Sequence, residues 1–310
     1  MKRILVCVAL LSVSLWVVAC SSSQTGMGGD GGRGGQGGLG GSAGAGGEGG
    51  GGVKCNGSAD FCDRRFDEVS YPMTHNAMSN AEDGWNLPNQ NFNIVTQLEA
   101  GVRGMMLDTY DEDGEIVLCH VLCGLGSRPL VDALTEIRVF LDENPGEVFS
   151  IIFESYIENS ETAAAVEESG LIDLTYAHTV GEPWPTLREL IEADTRVMIF
   201  QEKPGDEAYP WLMYFWEHAW ETPFSFAEPE DFSCGANRGD PEAPLFLLNH
   251  FLTSPLGGSS DLAEMVNYNP PFLERAEQCK EEGEALPNFV AVDFYDLGDL
   301  FDVTQSLNSR

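Results

Sequence analysis

The chain has 310 residues, room for two domains of about 150 residues or for a single α/β barrel of about 250. Its content of 43% hydrophobic, 10% aromatic and 21% charged residues excludes a disordered or fibrous protein over most of the length. The 50 Asp and Glu against 16 Lys and Arg leave a net charge of −34; nucleic-acid affinity comes from cations that displace condensed counterions, so DNA and RNA are excluded as partners, and the same field opposes long-range attraction to anionic membranes.

Residues 1–20 read as an export signal, with Lys2 and Arg3 as the basic start and Ile4 to Ala19 as an apolar run too short to span a bilayer. The run closes on Val17-Val18-Ala19-Cys20 and three serines, which resembles a bacterial lipoprotein box with Cys20 as the lipidated residue. Residues 21–54 contain more than half of the 35 glycines and nothing that could build a core. They read as a flexible tether with a root-mean-square reach of roughly 30 Å, leaving residues 55–310 as the folded body. Six cysteines follow the anchor, an even number as expected of disulfides in an exported chain. Nearness in the chain pairs Cys55 with Cys62 and Cys119 with Cys123, leaving Cys234 for Cys279; the spacing has no Cys-x2-Cys or Cys/His knuckle of a metal cluster.

From residue 66 short apolar runs alternate with amphipathic ones. Strands are expected at Val69–Thr74, Gly104–Thr109, Ile116–His120, Val148–Glu154, Arg196–Gln201, Leu245–Asn249 and Phe289–Phe294, several apolar on both faces as buried parallel strands are. Helices are expected at Leu130–Asn144, where Leu130, Leu134, Ile137 and Leu141 recur at three-to-four spacing, at Pro185–Ala193 and at Leu262–Cys279. This βα alternation without a second composition zone predicts one α/β fold, a single TIM-like barrel, distorted or incompletely closed. A doubly wound sheet is the other candidate, but the first βα turn lacks a Gly-x-Gly-x-x-Gly fingerprint.

Barrels collect reactive groups at the carboxyl ends of their strands. Here those ends carry Thr74-His75-Asn76, Asp108, His120, Glu154, Gln201-Glu202-Lys203, Asn249-His250 and Asp293. Three of the five histidines fall there; His178 and His218 read as structural. Two histidines at one mouth can divide the work of phosphodiester transfer, one taking a proton from a nucleophilic hydroxyl and the other giving one to the leaving alkoxide. Asn76, Asp108 and Glu154 are hard oxygen donors suited to calcium, and Asp293 could fix the tautomer of a histidine.

The segments Thr74-His75-Asn76, Gly101 to Asp108, Leu118-Cys119-His120, Phe149 to Glu154 and Pro287 to Tyr295 together resemble the X domain of phosphatidylinositol-specific phospholipase C, in particular exported phospholipase-C-like phosphodiesterases. The likeness runs from about Phe66 to Tyr295. It implies a distorted TIM barrel with His75 as general base, His120 as general acid and Asp293 orienting His75. It also implies that a ring hydroxyl of a phosphoinositide-like substrate attacks phosphorus to give a cyclic phosphate. Calcium-dependent members bind the ion through residues that correspond to Asn76, Asp108 and Glu154, but Met106 stands where they carry a further Glu. Retaining Asp108 favours a Ca2+ cofactor, and the missing carboxylate implies weaker binding or an added water ligand.

Lys203 is a candidate for a headgroup phosphate, and Arg103 reads as a structural ion pair. The expected partners are a phosphodiester lipid or soluble headgroup and, through Cys20, the membrane of a bacterial envelope; the body is expected to be a monomer. Two other readings stand beside this one. A glycerophosphodiester phosphodiesterase or sphingomyelinase-D-like enzyme lacks its His-Arg-Gly or paired Glu-x-Asp signature here, and a non-catalytic surface binding protein would not need both histidines.

Overall fold

The computed structural model describes residues 54–254 and 257–309. The signal segment, Cys20 and all of the tether except Lys54 lie outside them. The described residues form ten strands and seven α-helices in the order β1 (Tyr71–Thr74), α1 (Ile94–Ala100), β2 (Gly104–Glu112), β3 (Glu115–Cys119), β4 (Ser127–Pro129), α2 (Leu130–Glu143), β5 (Phe149–Ser155), α3 (Asn159–Glu168), α4 (Leu187–Glu192), β6 (Val197–Gln201), β7 (Leu212–Tyr214), β8 (Ala219–Glu221), β9 (Leu245–Asn249), α5 (Ser260–Val266), α6 (Pro271–Glu282), β10 (Phe289–Val292) and α7 (Leu300–Asn308). Eight strands pair in the order β7-β6-β5-β2-β1-β10-β9-β8, every neighbouring pair parallel. The sheet curls into a distorted TIM-like barrel. Among the described residues its edge strands β7 and β8 do not pair with each other, so the barrel stays open there.

Strand alternation sorts the core into two layers. Met105, Leu107, Ile151, Phe153, Ile199, Phe246, Leu248, Val290 and Val292 face outward and pack against Leu130, Leu134, Ile137 and Leu141, the apolar stripe of α2, and against α6 and α7. The opposite parity, Tyr71, Met73, Ile152, Met198, Phe200, Leu245, Leu247, Phe289 and Ala291, fills the barrel interior together with Phe66 and Trp184. Carrying that inward parity one step toward the carboxyl ends gives His75, Asp108, Glu154, Glu202, Asn249 and Asp293. The apolar plug therefore ends in a ring of polar residues, with no change of strand period needed to produce it.

Two expectations are corrected, and two barrel strands are added that were not expected. Ile116–His120 contains no barrel strand: β3 turns back antiparallel on the extended end of β2, with Thr109 opposite Leu118 and Glu112 opposite Glu115, and passes to β4 as a flap. The Leu262–Cys279 helix is two helices, because Pro270 and Pro271 lack the N–H that a continuing helix requires. β7 and β8 are three residues each, too short to show a period. The disulfides are Cys55–Cys62, Cys119–Cys123 and Cys234–Cys279, the pairs that chain proximity favours.

Candidate active site

His75 leaves the end of β1 and Asp293 the end of β10, neighbours whose register pairs Thr74 with Val292. The His75 Nδ1 and Asp293 Oδ1 atoms are 2.8 Å apart. Asn76 Nδ2 lies 3.1 Å from His75 Nε2. An amide nitrogen only donates and a carboxylate only accepts, so both contacts assign the same tautomer: the proton on Nδ1 and the lone pair on Nε2. The imidazole is stacked on Phe251, centroids 3.9 Å apart and planes 4° from parallel, which fixes its plane. Asn89 donates to both oxygens of Asp293, at 3.1 and 3.2 Å. Gln90 ties the two strand ends together, its Nε2 donating to the carbonyls of His75 and Val292 at 2.8 and 3.1 Å, and Asn267 Nδ2 holds the Asp293 carbonyl at 2.8 Å.

His120 arrives on the flap. Because β3 returns along β2 from Glu115 to Cys119, it brings His120 back to the level of the barrel mouth. The loop after β1 fastens that flap. Asn86 N donates to the Leu125 carbonyl at 2.8 Å, and the ring of Trp85 fills the space over Gly126, where a Cβ would come within 2.4 Å of it. Burial, and then the coulombic interaction with His75, lower the pKa of His120 from its ordinary 6.5, against the opposing fields of Asp293 and Glu154. The fields of His75, Asp293 and Glu154 thus all reach His120. Each of the three residues is followed by a non-glycine residue in left-handed backbone: Asn76 at φ +47°, Val121 at +57° and Phe294 at +47°. Such positions cost of order 1 kcal/mol or more each and persist where the surroundings over-determine them; here each turns the chain immediately after a site residue.

Asp108 and Glu154 are direct cross-strand partners on β2 and β5. Asp108 is buried, and among the described residues nothing donates a hydrogen bond to its carboxylate. Burial first, then the charges of Glu154 and Glu202, push its pKa well above the usual carboxylate range. Glu154 is exposed rather than buried, and it accepts from the Tyr156 hydroxyl. With Nδ2 turned to His75, Asn76 has its amide oxygen free for a cation. The donor chemistry thus fits calcium, a hard ion that takes oxygen ligands. Among the described residues no three His, Cys, Asp or Glu side chains are grouped to hold a metal ion; the set here has two carboxylates and an amide oxygen, and the Tyr156 hydroxyl occupies one oxygen of Glu154. Met106, partly buried, packs on the interior plug.

Two sequence candidates lie elsewhere. Lys203 donates to the Ile157 carbonyl in a groove with Glu158, Asn159 and Asp206, away from the two histidines, because residue 203 has the outward parity of its strand end. His250 is fully buried and stacked on Phe272 at 3.8 Å; its backbone N–H continues the ladder to the Ala291 carbonyl while its ring points into the helix layer. Arg103 is the structural ion pair expected, 2.6 Å from Glu147. Sequence reasoning missed Asn89, Gln90, Asn267 and Phe251, which reach the site from loops. It also missed Arg238, which binds Glu202 through both terminal nitrogens at 2.7 and 3.1 Å and Glu221 through Nε at 2.5 Å, between the faces of Trp216 and Phe224. Even with that counter-ion, burial holds Glu202 at a pKa of about 7.

The family model described as PI-PLC X 1 matches residues 61–308. The chain belongs to the PI-PLC X family. It is 30% identical over 270 residues to a PI-PLC X domain-containing protein of Arabidopsis thaliana, covering 78% of this chain and 62% of that one. It is 29% identical over 286 residues to an uncharacterized secreted protein of the fungus Arthroderma benhamiae, covering 82% and 64%. The chain thus spans less than two thirds of the length of either relative. Among solved structures, a phosphatidylinositol-specific phospholipase C of Staphylococcus aureus superposes with a TM-score of 0.53 at 15% identity, over 81% of this chain and 95% of the other, a likeness of fold.

Proposed function

We propose that the chain is a phosphodiesterase of the phosphatidylinositol-specific phospholipase C type. The observation that carries this reading is the 2.8 Å contact of His75 Nδ1 with the enclosed Asp293 carboxylate, which leaves Nε2 as a proton acceptor in the same electrostatic environment as a second imidazole. In this reading Nε2 takes the proton of a substrate ring hydroxyl as its oxygen bonds to phosphorus. Asn76 gives way to that hydroxyl. The bond from phosphorus to the diacylglycerol or other alcohol breaks, and protonated His120 gives the departing oxygen its proton. A cyclic phosphate results, and the proton gained by the base balances the one lost by the acid. Asp293 stabilises the imidazolium that forms at His75. A calcium ion taken by Asn76, Asp108 and Glu154 would supply positive charge to the non-bridging phosphate oxygens. Substrate discrimination then belongs to the polar ring above the plug and not to Lys203.

The same proposal places the body outside the cell, carried by the signal at residues 1–20 and tethered through residues 21–54 to a lipid on Cys20. Three disulfides in the body suit such an oxidising location, and the fungal relative is named a secreted protein. Among the described residues no helix is long and apolar enough to cross a membrane.

The test is the purified full chain with a short-chain phosphatidylinositol, products followed by phosphorus NMR with and without calcium. A cyclic phosphate that disappears in both His75→Ala and His120→Ala is expected. Turnover surviving in either single variant would refute the paired roles, and glycerol or choline phosphodiesters cleaved in place of the inositol lipid would refute the substrate class.

A further inference from the structure

A cavity of about 270 Å³ opens outside the barrel, between the segment following β8 and the helices α5 and α6, with Phe232, His250, Met265, Val266, Arg275 and Gln278 in its lining. Arg275 is 7% exposed. Its Nη1 donates to the Asn249 carbonyl and to His250 Nδ1, both at 2.9 Å, and its Nη2 to the Ser233 carbonyl at 3.4 Å; the guanidinium lies 4.0 Å from the centre of the Phe232 ring. All of these partners are neutral. His250 adds no charge, since its Nε2–H donates to the Val266 carbonyl at 2.9 Å and its Nδ1 must then accept from Arg275. The Nε of Arg275 is buried with no partner. Among the described residues no carboxylate pairs with this arginine, although the chain has 50 Asp and Glu and Arg103, Arg196 and Arg238 each meet one.

A buried charge without a counter-ion costs several kcal/mol, and burial accordingly lowers the guanidinium pKa to about 9, still charged at neutral pH. The site nevertheless keeps an arginine beside an open space, in which Phe232, Met265 and Val266 supply an apolar wall and Arg275, Gln278 and Glu274 a polar one. We propose that this cavity binds a small carboxylate with a short apolar tail, its head on the Arg275 guanidinium and its tail along Phe232, Met265 and Val266. Pockets for drug-sized ligands have volumes of about 300–1,000 Å³, so a cavity of about 270 Å³ limits the tail to a few carbons. The exposed Glu274 at the rim repels multiply charged anions and favours a single negative charge.

The experiment is a thermal-shift and calorimetric titration of the full chain with hexanoate, hexan-1-ol and inorganic phosphate in parallel. Hexanoate is expected to bind saturably with a Kd of roughly 1 mM or tighter and to raise the Tm, with neither effect from the alcohol or from phosphate. Arg275→Met is expected to abolish the hexanoate effect. Because that variant alters a buried group, Met265→Trp provides a second arm: residue 265 is 57% exposed, so the indole closes the cavity and leaves the guanidinium in place. It is expected to weaken hexanoate at least tenfold and leave the ligand-free Tm unchanged. Absence of saturable hexanoate binding, equal binding of the alcohol, binding of phosphate in its place, or full retention in Met265→Trp each overturns the proposal.

Discussion

Asp293→Asn isolates the charge of the residue that orients His75. The carboxylate accepts from His75 at 2.8 Å and from Asn89 at 3.1 and 3.2 Å, so one of its oxygens is needed by the imidazole and both by the amide. Asparagine keeps the shape and a single acceptor. If that oxygen stays with Asn89, the new NH2 faces His75 Nδ1, which must then accept; the ring proton moves to Nε2, where the substrate hydroxyl needs a lone pair. If it stays with His75, the NH2 opposes the NH2 of Asn89. Hydrogen bonds to charged groups contribute about 1.5–3 kcal/mol against about 0.5–1.5 for neutral ones, so loss of charge alone removes about 1 kcal/mol or more and slows turnover by roughly fivefold or more. The reversed tautomer removes the general-base contribution as well, about 10²–10⁴. A fall in kcat of about 10²-fold or more is expected, with KM changed little and the Tm within a few degrees of the parent. The assay is cyclic-phosphate release under saturating short-chain phosphatidylinositol. A kcat within about threefold of the parent would refute the assignment of Asp293 as the orienting group.

Burial and His75 lower the pKa of His120 below 6.5, and a general acid must carry its proton. Activity governed by this group is therefore present at low pH and lost as pH rises through the lowered value, so the alkaline limb of kcat/KM should have its midpoint below pH 6.5, a limb at pH 8 counting against His120. Calcium at 100 times its Kd should stabilise the chain by about 2.7 kcal/mol, read as a rise in Tm that a chelator reverses and Asp108→Asn abolishes; an equal rise in that variant would remove Asp108 from the ligand set. The Cys234–Cys279 bond closes a 45-residue separation, so the double serine variant should lose about 4 kcal/mol in the chain-entropy model, measured by urea unfolding, and a loss below about 1 kcal/mol would contradict it.

The strand-end logic was legible in the sequence because the barrel interior obeys a period of two. His75 and Asp293 extend the inward rows of Tyr71-Met73 and Phe289-Ala291, and Asp108 and Glu154 extend those of Met106 and Ile152. What was not legible depends on contacts without a period. Asn89 and Gln90 lie in a loop and act across more than 200 residues of chain. The β2–β3 reversal hides in apolar runs that read equally well as parallel strands. His250 stands at a strand end like His75, yet the outward parity of residue 250 on β9 turns its ring from the mouth into the helix layer.

His120 stands inside the small covalent ring closed by Cys119 and Cys123, and the Leu122 N–H bonds back to its carbonyl at 2.5 Å across Val121. His75 and Asp293, by contrast, are held by strand pairing, amide donors and the Phe251 ring, with no covalent link nearby among the described residues. If His120 is the proton donor proposed above, reduction of the Cys119–Cys123 bond should slow the release of the alcohol while leaving the His75 ring seated on Phe251. Under the proposed roles, the oxidation state of one short loop then decides whether the two imidazoles work together.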